Sequence, residues 1–393
     1  MREGWQELHL SEIAALDSCK PRAFAGVRYY VDTGSVSGRS ISNELAAVTY
    51  SNRPSRANED RCAGDVGFSK MKLSDKTVLV TEESQQHLYS TGFQFLRPKP
   101  DVLPGFLFLV CSSSQFRQDR DALTGDGIMG SISKRNASSI KILLPPRRDQ
   151  SRIVDLIGSI DAHIDRLQSQ VKATRAARSA LLADMLSNVG NDWEETTLGS
   201  LADWFSGGTP KSTNASYYEN GAIRWAVIAD LLNDPVVQTA KQISEDGLAA
   251  IGGRLAPAGS VLVSMYGTIA RTAVAGVALA TNQAIAWAEP HEEVCLGPFL
   301  RLLVDSRQPE FERAARGAAQ KNINRGMIRS AEVTLPPLEI QRQIVDLISA
   351  LDEQIALLQT QSAAAQNVRA VVLSDLLSGE RLLDESYDVA VSL

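Results

Sequence analysis

The stretch LPPRRDQSRIVDLIGSIDAHIDRLQ begins at Leu144, and LPPLEIQRQIVDLISALDEQIALLQ begins at Leu335, 191 residues later. Aligned without gaps at that offset, residues 144–187 and 335–378 are identical at 20 of 44 positions, which marks an internal duplication rather than chance. In each copy Pro-Pro imposes an extended approach and stops any earlier helix from running through. Apolar residues then recur at a 4-3-4-3 spacing: Ile153, Ile157, Ile160, Ile164 and Leu167 in the first copy, Ile344, Ile348, Leu351, Ile355 and Leu358 in the second. That is a coiled-coil seam of about three heptads. An amphipathic helix packed on its own domain would carry a similar stripe. The duplication favours pairing, because two like seams in one chain are each other's nearest partners.

A helix over residues 150–187 would be about 57 Å long at 1.5 Å per residue. If the region between the two helices has its ends close together, as domains often do, the helices run antiparallel and the variable regions sit at opposite ends of a rod. Pairing the helices about their midpoints places Arg178 near Asp346 or Asp352, and Arg369 near Asp155 or Asp161. The likeness continues outside the helices. WQELHLSEIA from Trp5 matches WEETTLGSLA from Trp193, and AGDVGFSK from Ala63 echoes AGSVLVSM from Ala258. The expected organisation is therefore a globular region at 1–143, a helix at 144–190, a second globular region at 191–334, a second helix at 335–380 and a tail at 381–393. The fold class is α+β: two globular domains separated by two long antiparallel coiled-coil helices, related by a pseudo-twofold duplication. Within the globular regions, residues 77–82, 106–110, 260–264 and 273–279 read as short strands between turn residues.

Composition narrows the function classes. Net charge is −6, against a simple basic nucleic-acid binder. By segment, Lys and Arg against Asp and Glu give +2 for residues 1–143, +2 for 144–187, −4 for 188–334 and −6 for 335–393, so any DNA contact has to be local. Cys19, Cys62, Cys111 and Cys295 show no CxxC spacing and share no metal pattern with the four histidines, so no metal site is expected. MREGWQELHL has no signal-peptide character, and the most apolar run, Val261 to Trp287, is broken by Arg271, Asn282 and Gln283. A cytoplasmic protein without a membrane span is expected.

Motifs for chemistry are absent. Gly125 to Gly130 fits GxGxxG, but no strand pattern precedes it and no long helix pattern follows, against a dinucleotide site. The sequence has no GxxxxGK[ST], HExxH or GxSxG, nor the Asn-Pro-Pro-aromatic tetrapeptide of a base-amino methyltransferase. No catalytic residue is assigned. What remains is binding chemistry. RAARGAAQKNINRGMIR sets Arg313, Arg316, Lys321, Arg325 and Arg329 among Gln320, Asn322 and Asn324 within an acidic region. Arg and Lys suit phosphates or guanine edges, and Asn and Gln can address adenine with two hydrogen bonds. A solvated helix face followed by a polar turn has the same composition. In the first region Lys70, Lys72, Lys134 and Arg135 stand at comparable places, with Arg39, Arg53 and Arg56 in a Ser/Asn/Arg-rich loop.

LPPLEIQRQIVDLISALDEQI, GGTPKSTNASYYENGAIRW, SMYGTIARTAVAGVALATNQA and QKNINRGMI together resemble the specificity subunit of type I restriction-modification enzymes, strongly over residues 193–378 and the first helix, more weakly over 1–143. The resemblance implies two target recognition domains, each reading one half of a split, asymmetric sequence in double-stranded DNA, with the helices fixing the gap. It implies two modification subunits that carry S-adenosylmethionine, and restriction subunits that use ATP and Mg, with no cofactor in this chain. The DNA-facing set it suggests is Lys211, Tyr266, Gln320, Lys321, Asn322, Asn324 and Arg325 in the second domain. In the first domain it is Lys70, Lys72 and Lys134, although that domain has MGSIS where the second has QKNIN. Two classes compete: a self-contained enzyme acting on nucleic acid, which the empty motif search disfavours, and a coiled-coil adaptor that organises protein partners without reading DNA. The adaptor leaves the basic Gln/Asn cluster unused.

Overall fold

The computed structural model describes residues 4–125, 130–188, 190–317 and 322–381. The chain divides into two compact units, one of residues 1–168 with 360–393, the other of residues 169–359. The two long helices, Arg147–Ser187 and Leu338–Leu377, start directly after their Pro-Pro pairs, and each gives its two halves to different units.

The same plan recurs in both units. In the first, the strand Gln6–His9 pairs antiparallel with Lys141–Leu144, Gln6 opposite Leu144, so the body closes at the entrance of the first long helix. In the second, Glu194–Thr197 pairs with Glu332–Leu335, Glu194 opposite Leu335. The echoed strands also take equivalent places. Val66–Ser69 lies between Phe93–Pro98 and Thr77–Leu79, and Val261–Ser264 lies between Ile285–Pro290 and Thr272–Val274. Each is entered through a glycine at φ +92°, Gly64 or Gly259, a left-handed conformation that a side chain resists. All four residues of both strands are buried, which is why VGFS and VLVS do not alternate in polarity.

Three of the four expected strands are present, two of them only in part. Residues 77–79 and 261–264 are strands; 272–274 is a strand, after which the chain turns before Ala280–Thr281. Residues 106–110 are a correction: FLFLV lies in the helix Pro104–Ser112. Five consecutive apolar residues have no period that separates a strand from a buried helix, and Pro104 in the first turn supplies a helix start.

The helix entrances explain the shared PPxxxQ. Gln150 (1% exposed) accepts a hydrogen bond on Oε1 from Leu103 N at 2.8 Å, and its Nε2 donates to the Asp101 and Pro145 carbonyls at 2.9 and 3.0 Å. Gln341 (0% exposed) repeats the pattern with Leu296 N at 3.0 Å and the Val294 and Pro336 carbonyls at 3.0 and 2.9 Å. One amide thus ties each helix to the loop before its body's packing helix.

Both readings of the seam hold. Ile153 and Ile157 share a core with Leu10, Phe106 and Leu107 of their own body, and Leu373 and Leu376 from the end of the second helix join them. In the other unit Ile344 and Ile348 pack with Phe299, Leu303 and, from the first helix, Leu182. Further along, Ile164, Leu167 and Ile355 are buried, and Ile160, Leu351 and Leu358 are half-buried.

Of the alternative ion pairs, the structure selects one in each unit. Arg178 holds Asp352 through Nε–Oδ1 and Nη2–Oδ2 at 2.6 and 2.9 Å. Arg369 holds Asp161, with Nη2–Oδ2 at 3.1 Å. Moving along the first helix from Asp161 to Arg178 moves back along the second from Arg369 to Asp352, so the helices are antiparallel. Each pair also ties the helices to the adjoining body, with opposite sign. Arg39 adds a second guanidinium on Asp161 at 2.7 and 2.8 Å, and Asp305 adds a second carboxylate 3.7 Å from Arg178. Arg39 is therefore a structural tether, not a free cation of the loop.

The two carboxylates respond oppositely to their surroundings. Burial pushes Asp161 up, but the hydrogen bonds and charges of Arg39 and Arg369 outweigh it and hold it below the usual carboxylate range. Burial also pushes Asp305 up, and Thr272, Arg301 and Arg178 offset this only in part. The Asp161 contribution to stability is present above the unfolded carboxylate pKa of about 4 and is lost as pH falls through its depressed folded value. Asp305 in the folded state holds a proton more tightly than in the unfolded one, so acidification favours folding there. Asp161→Asn is expected to cost about 2 kcal/mol at neutral pH, because it strands two arginines, and to flatten the acid limb of stability. Asp305→Asn is expected to cost little. Denaturant midpoints at neutral and acid pH check both, and equal costs for the two variants would refute the assignment.

Candidate nucleic-acid interface

In the second unit, Ser206, Gly207, Tyr266, Gln283, Asn324 and Arg325 line an open cleft of about 380 Å³. Three chain segments are sewn together beneath it. Met265 N donates to Ala284 O at 2.8 Å and Ile323 N donates to Met265 O at 3.0 Å, so the turn with Tyr266, the segment with Gln283 and the segment with Asn324 meet. The GGTPK loop closes on this frame because Gly207 has no side chain: a Cβ there would lie 2.0 Å from the Thr281 carbonyl oxygen. Trp225 Nε1 donates to Gly208 O at 3.0 Å and the Tyr218 hydroxyl to Pro210 O at 2.6 Å, while the Thr209 hydroxyl meets Gln283 Oε1. The aromatic residues of GGTPKSTNASYYENGAIRW thus clamp the loop that carries exposed Lys211.

The predicted residues fall into distinct groups. Tyr266 (37% exposed), Asn324 and Arg325 share the cleft. Asn324 is also the N-cap of the helix Arg325–Arg329, its Oδ1 accepting from Met327 N at 2.9 Å, which leaves its amide nitrogen as the group to face a ligand. Arg325 is exposed and reaches the Trp204 carbonyl only loosely, at 3.4 Å. Asn322 is half-buried and does not line the cleft. Gln320 and Lys321 lie outside the described residues. Gln283 was missed: it stands in TNQA, whose neighbours look like ordinary strand ends, and only the folded chain brings it beside Tyr266.

The first unit repeats the frame with other side chains. Lys70 N donates to Gly92 O at 3.0 Å and Ile132 N to Lys70 O at 2.9 Å, bond for bond the scaffold around Met265. Ser133 caps the helix Lys134–Ser138 as Asn324 caps its counterpart. Met71 therefore corresponds to Tyr266 and Lys134 to Arg325. Lys134 is exposed and 3.6 Å from exposed Asp17, a pair of little energetic weight. Lys70 turns inward, donating to Thr91 O at 2.9 Å, and burial lowers its pKa. Lys72 is half-buried. Arg53 stacks on Tyr50, its guanidinium carbon 4.0 Å from the ring centre. Of the GxGxxG stretch, residues 126–129 lie outside the described residues, and the helix after it has only five residues. Among the described residues no cluster of His, Cys, Asp and Glu is placed to hold a metal ion, and no helix is long and apolar enough to cross a membrane.

Residues 190–367 match the family model of the type I restriction modification DNA specificity domain. The chain is 25% identical to the specificity subunit of a type I restriction enzyme of Escherichia coli, over 52% of this chain and 52% of that one, so it spans about half of that relative. It is 22% identical to the HindI specificity subunit of Haemophilus influenzae, over 96% of this chain and 99% of that one. Among solved structures, a chain described under complex assembly and conformational transition of the type I R-M system superposes with a TM-score of 0.66 over 96% of this chain and 98% of that one, at 21% identity, a likeness of fold. Both units are α+β bodies on paired helices, and the second presents a polar cleft. Residues 190–367 thus carry the type I restriction modification DNA specificity domain, and over nearly its whole length the chain is similar to specificity subunits of type I restriction-modification enzymes.

Proposed function

We propose that each unit reads one half of a split, asymmetric sequence in double-stranded DNA, the long helices setting the unread gap. The observation that carries this is the repeated scaffold: the same hydrogen-bonded frame presents Tyr266, Gln283, Asn324 and Arg325 in one unit and Met71, Ser133 and Lys134 in the other. A constant frame with different side chains suits two different half-sites. Lys211, and Lys321 beyond the described residues, suit phosphates; Arg325, Asn324 and Gln283 suit base edges. The domain limits that go with this reading are 1–143 and 191–334 for the readers and 144–190 and 335–380 for the helices. Its partners are two modification subunits that carry S-adenosylmethionine and restriction subunits that use ATP and Mg.

The test is to express the chain with its cognate modification subunit and map methylated adenines across a genome. A two-part motif with a fixed gap is expected. No new methylation, with both proteins folded and associated, would count against the proposal. Arg325→Ala is expected to cost about 1–3 kcal/mol and to relax preference at one position, whereas Lys211→Ala should weaken binding evenly across sequences and lower its salt dependence. Binding titrations on cognate and altered duplexes separate the two outcomes.

A further inference from the structure

In the first unit the hairpin between Val66–Ser69 and Thr77–Leu79 carries Lys70, Met71, Lys72, Leu73 and Lys76. Leu73 is 80% exposed at its tip and Met71 36%. A lone exposed leucine needs no explanation. This one is held in a left-handed conformation, φ +61°, that costs a branched side chain about 1 kcal/mol or more. The counterpart hairpin of the other unit has a glycine, Gly267 at φ +67°, as its exposed left-handed turn residue. The tip is also braced from beneath. Leu73 N donates to Asp121 Oδ2 at 3.1 Å. Asp121 is fixed by buried Arg120 through Nε at 2.8 Å, and Arg120 Nη1 donates to Ser69 O at 3.2 Å. Lys72 N donates to Gly130 O at 3.0 Å, stitching the tip to the segment that leads to Lys134. A buried arginine spent on bracing a strained, exposed leucine marks a side chain that is presented rather than left over.

We infer that Leu73, with Met71 beside it, is an apolar reading element that contacts the C5-methyl of a thymine in the half-site of the first unit. The inference rests on the DNA-reading function proposed above. Two observations select DNA over a protein surface: the equivalence of Met71 to cleft residue Tyr266, and the stitching of the hairpin to the segment that leads to exposed Lys134. The thymine methyl is the one apolar group on the major-groove edge of a base pair, and apolar side chains recognise it by contact.

The experiment uses the full chain assembled with its modification subunit and the duplex found by methylation mapping. Each thymine of both half-sites is replaced in turn by deoxyuridine, which removes only the methyl. At one position the wild-type assembly is expected to lose about fourfold in affinity, the worth of one buried methyl group. Leu73→Asn, which keeps a residue tolerant of positive φ, should lose about the same on the thymine duplex and become indifferent to deoxyuridine there. Leu73→Ala should behave likewise. Equal sensitivity to the lost methyl in variants and wild type overturns the inference, as does a wild type that responds at no thymine. Variants that fail to associate with the modification subunit would assign the tip to a protein contact instead, also overturning it. If mapping yields no split motif, the DNA-reading proposal itself fails, and that outcome is distinct from all of these.

Discussion

Gln341→Leu is expected to lower the stability of the second unit by about 3–5 kcal/mol, although the side-chain volume barely changes. The amide is fully buried and makes three hydrogen bonds, all to backbone groups: it accepts from Leu296 N and donates to the Val294 and Pro336 carbonyls. Leucine leaves those groups buried without a partner, at roughly 1–3 kcal/mol each. Part of the loss is recovered because the amide itself is no longer desolvated, which sets the estimate nearer the lower end of the sum. The consequence is positional as well as energetic. Gln341 joins the start of the second long helix to the loop before the helix Gly297–Gly317, so its loss loosens the orientation of the body on the helix. Gln150→Leu should do the same in the first unit through Leu103, Asp101 and Pro145. Denaturant midpoints of full-length variants check this. A midpoint within error of wild type for both would show that the glutamines only accompany the Pro-Pro entrance and do not secure it.

The helix limits and the two interhelical ion pairs were legible in the sequence because they are local or repeat at a fixed offset. A repeat states twice which residues matter, and the antiparallel register follows from two arginines and four aspartates. Residues 106–110 were not legible, since burial on all sides erases the period that distinguishes a helix from a strand. Arg39 looked like a free loop cation because the carboxylate that holds it, Asp161, lies on a distant helix. The cleft was half legible. Asn324 and Arg325 stand out by composition and Tyr266 by the motif around it, but Gln283 becomes a neighbour only through the pairing of Ile285–Pro290 with Val261–Ser264. In the first unit composition misled in a specific way: three lysines were equivalent by charge, yet Lys70 donates inward to a carbonyl, while Met71 occupies the position that matches Tyr266.

A fragment of residues 1–190 is expected to form a homodimer. The first unit is completed by residues 360–381, which supply Arg369 to Asp161, and Leu373 and Leu376 to the core around Ile153 and Ile157. The residues 191 positions earlier, Arg178, Leu182 and Met185, do the corresponding work in the second unit, where Leu182 is buried in the core and Met185 packs against it. A fragment that ends after the first helix therefore carries both a body that lacks its second helix and a helix half able to supply it to another copy. The register permits this, because Asp161 is to Arg369 as Asp352 is to Arg178. In a dimer each Arg178 would meet Asp161 of the other copy, twice over. The exchange of Leu376 for Met185 is close to volume-conserving and should cost less than about 1.5 kcal/mol. As a monomer the fragment would leave Ile164 and Leu167 uncovered, and would open the core around Ile153 and Ile157 on the side that Leu373 and Leu376 close, at about 1.5–3 kcal/mol for each side chain left fully uncovered, which drives association. Sedimentation should give twice the fragment mass. Arg178→Glu should shift the fragment toward monomer by setting two carboxylates against each other at both ends of the seam. Adding Asp161→Lys to that variant should restore the dimer, since the reversed pair re-forms across the interface. A folded, monomeric 1–190 fragment with a stable long helix would sink the prediction, and with it the claim that the two helix halves are interchangeable partners rather than merely similar in sequence.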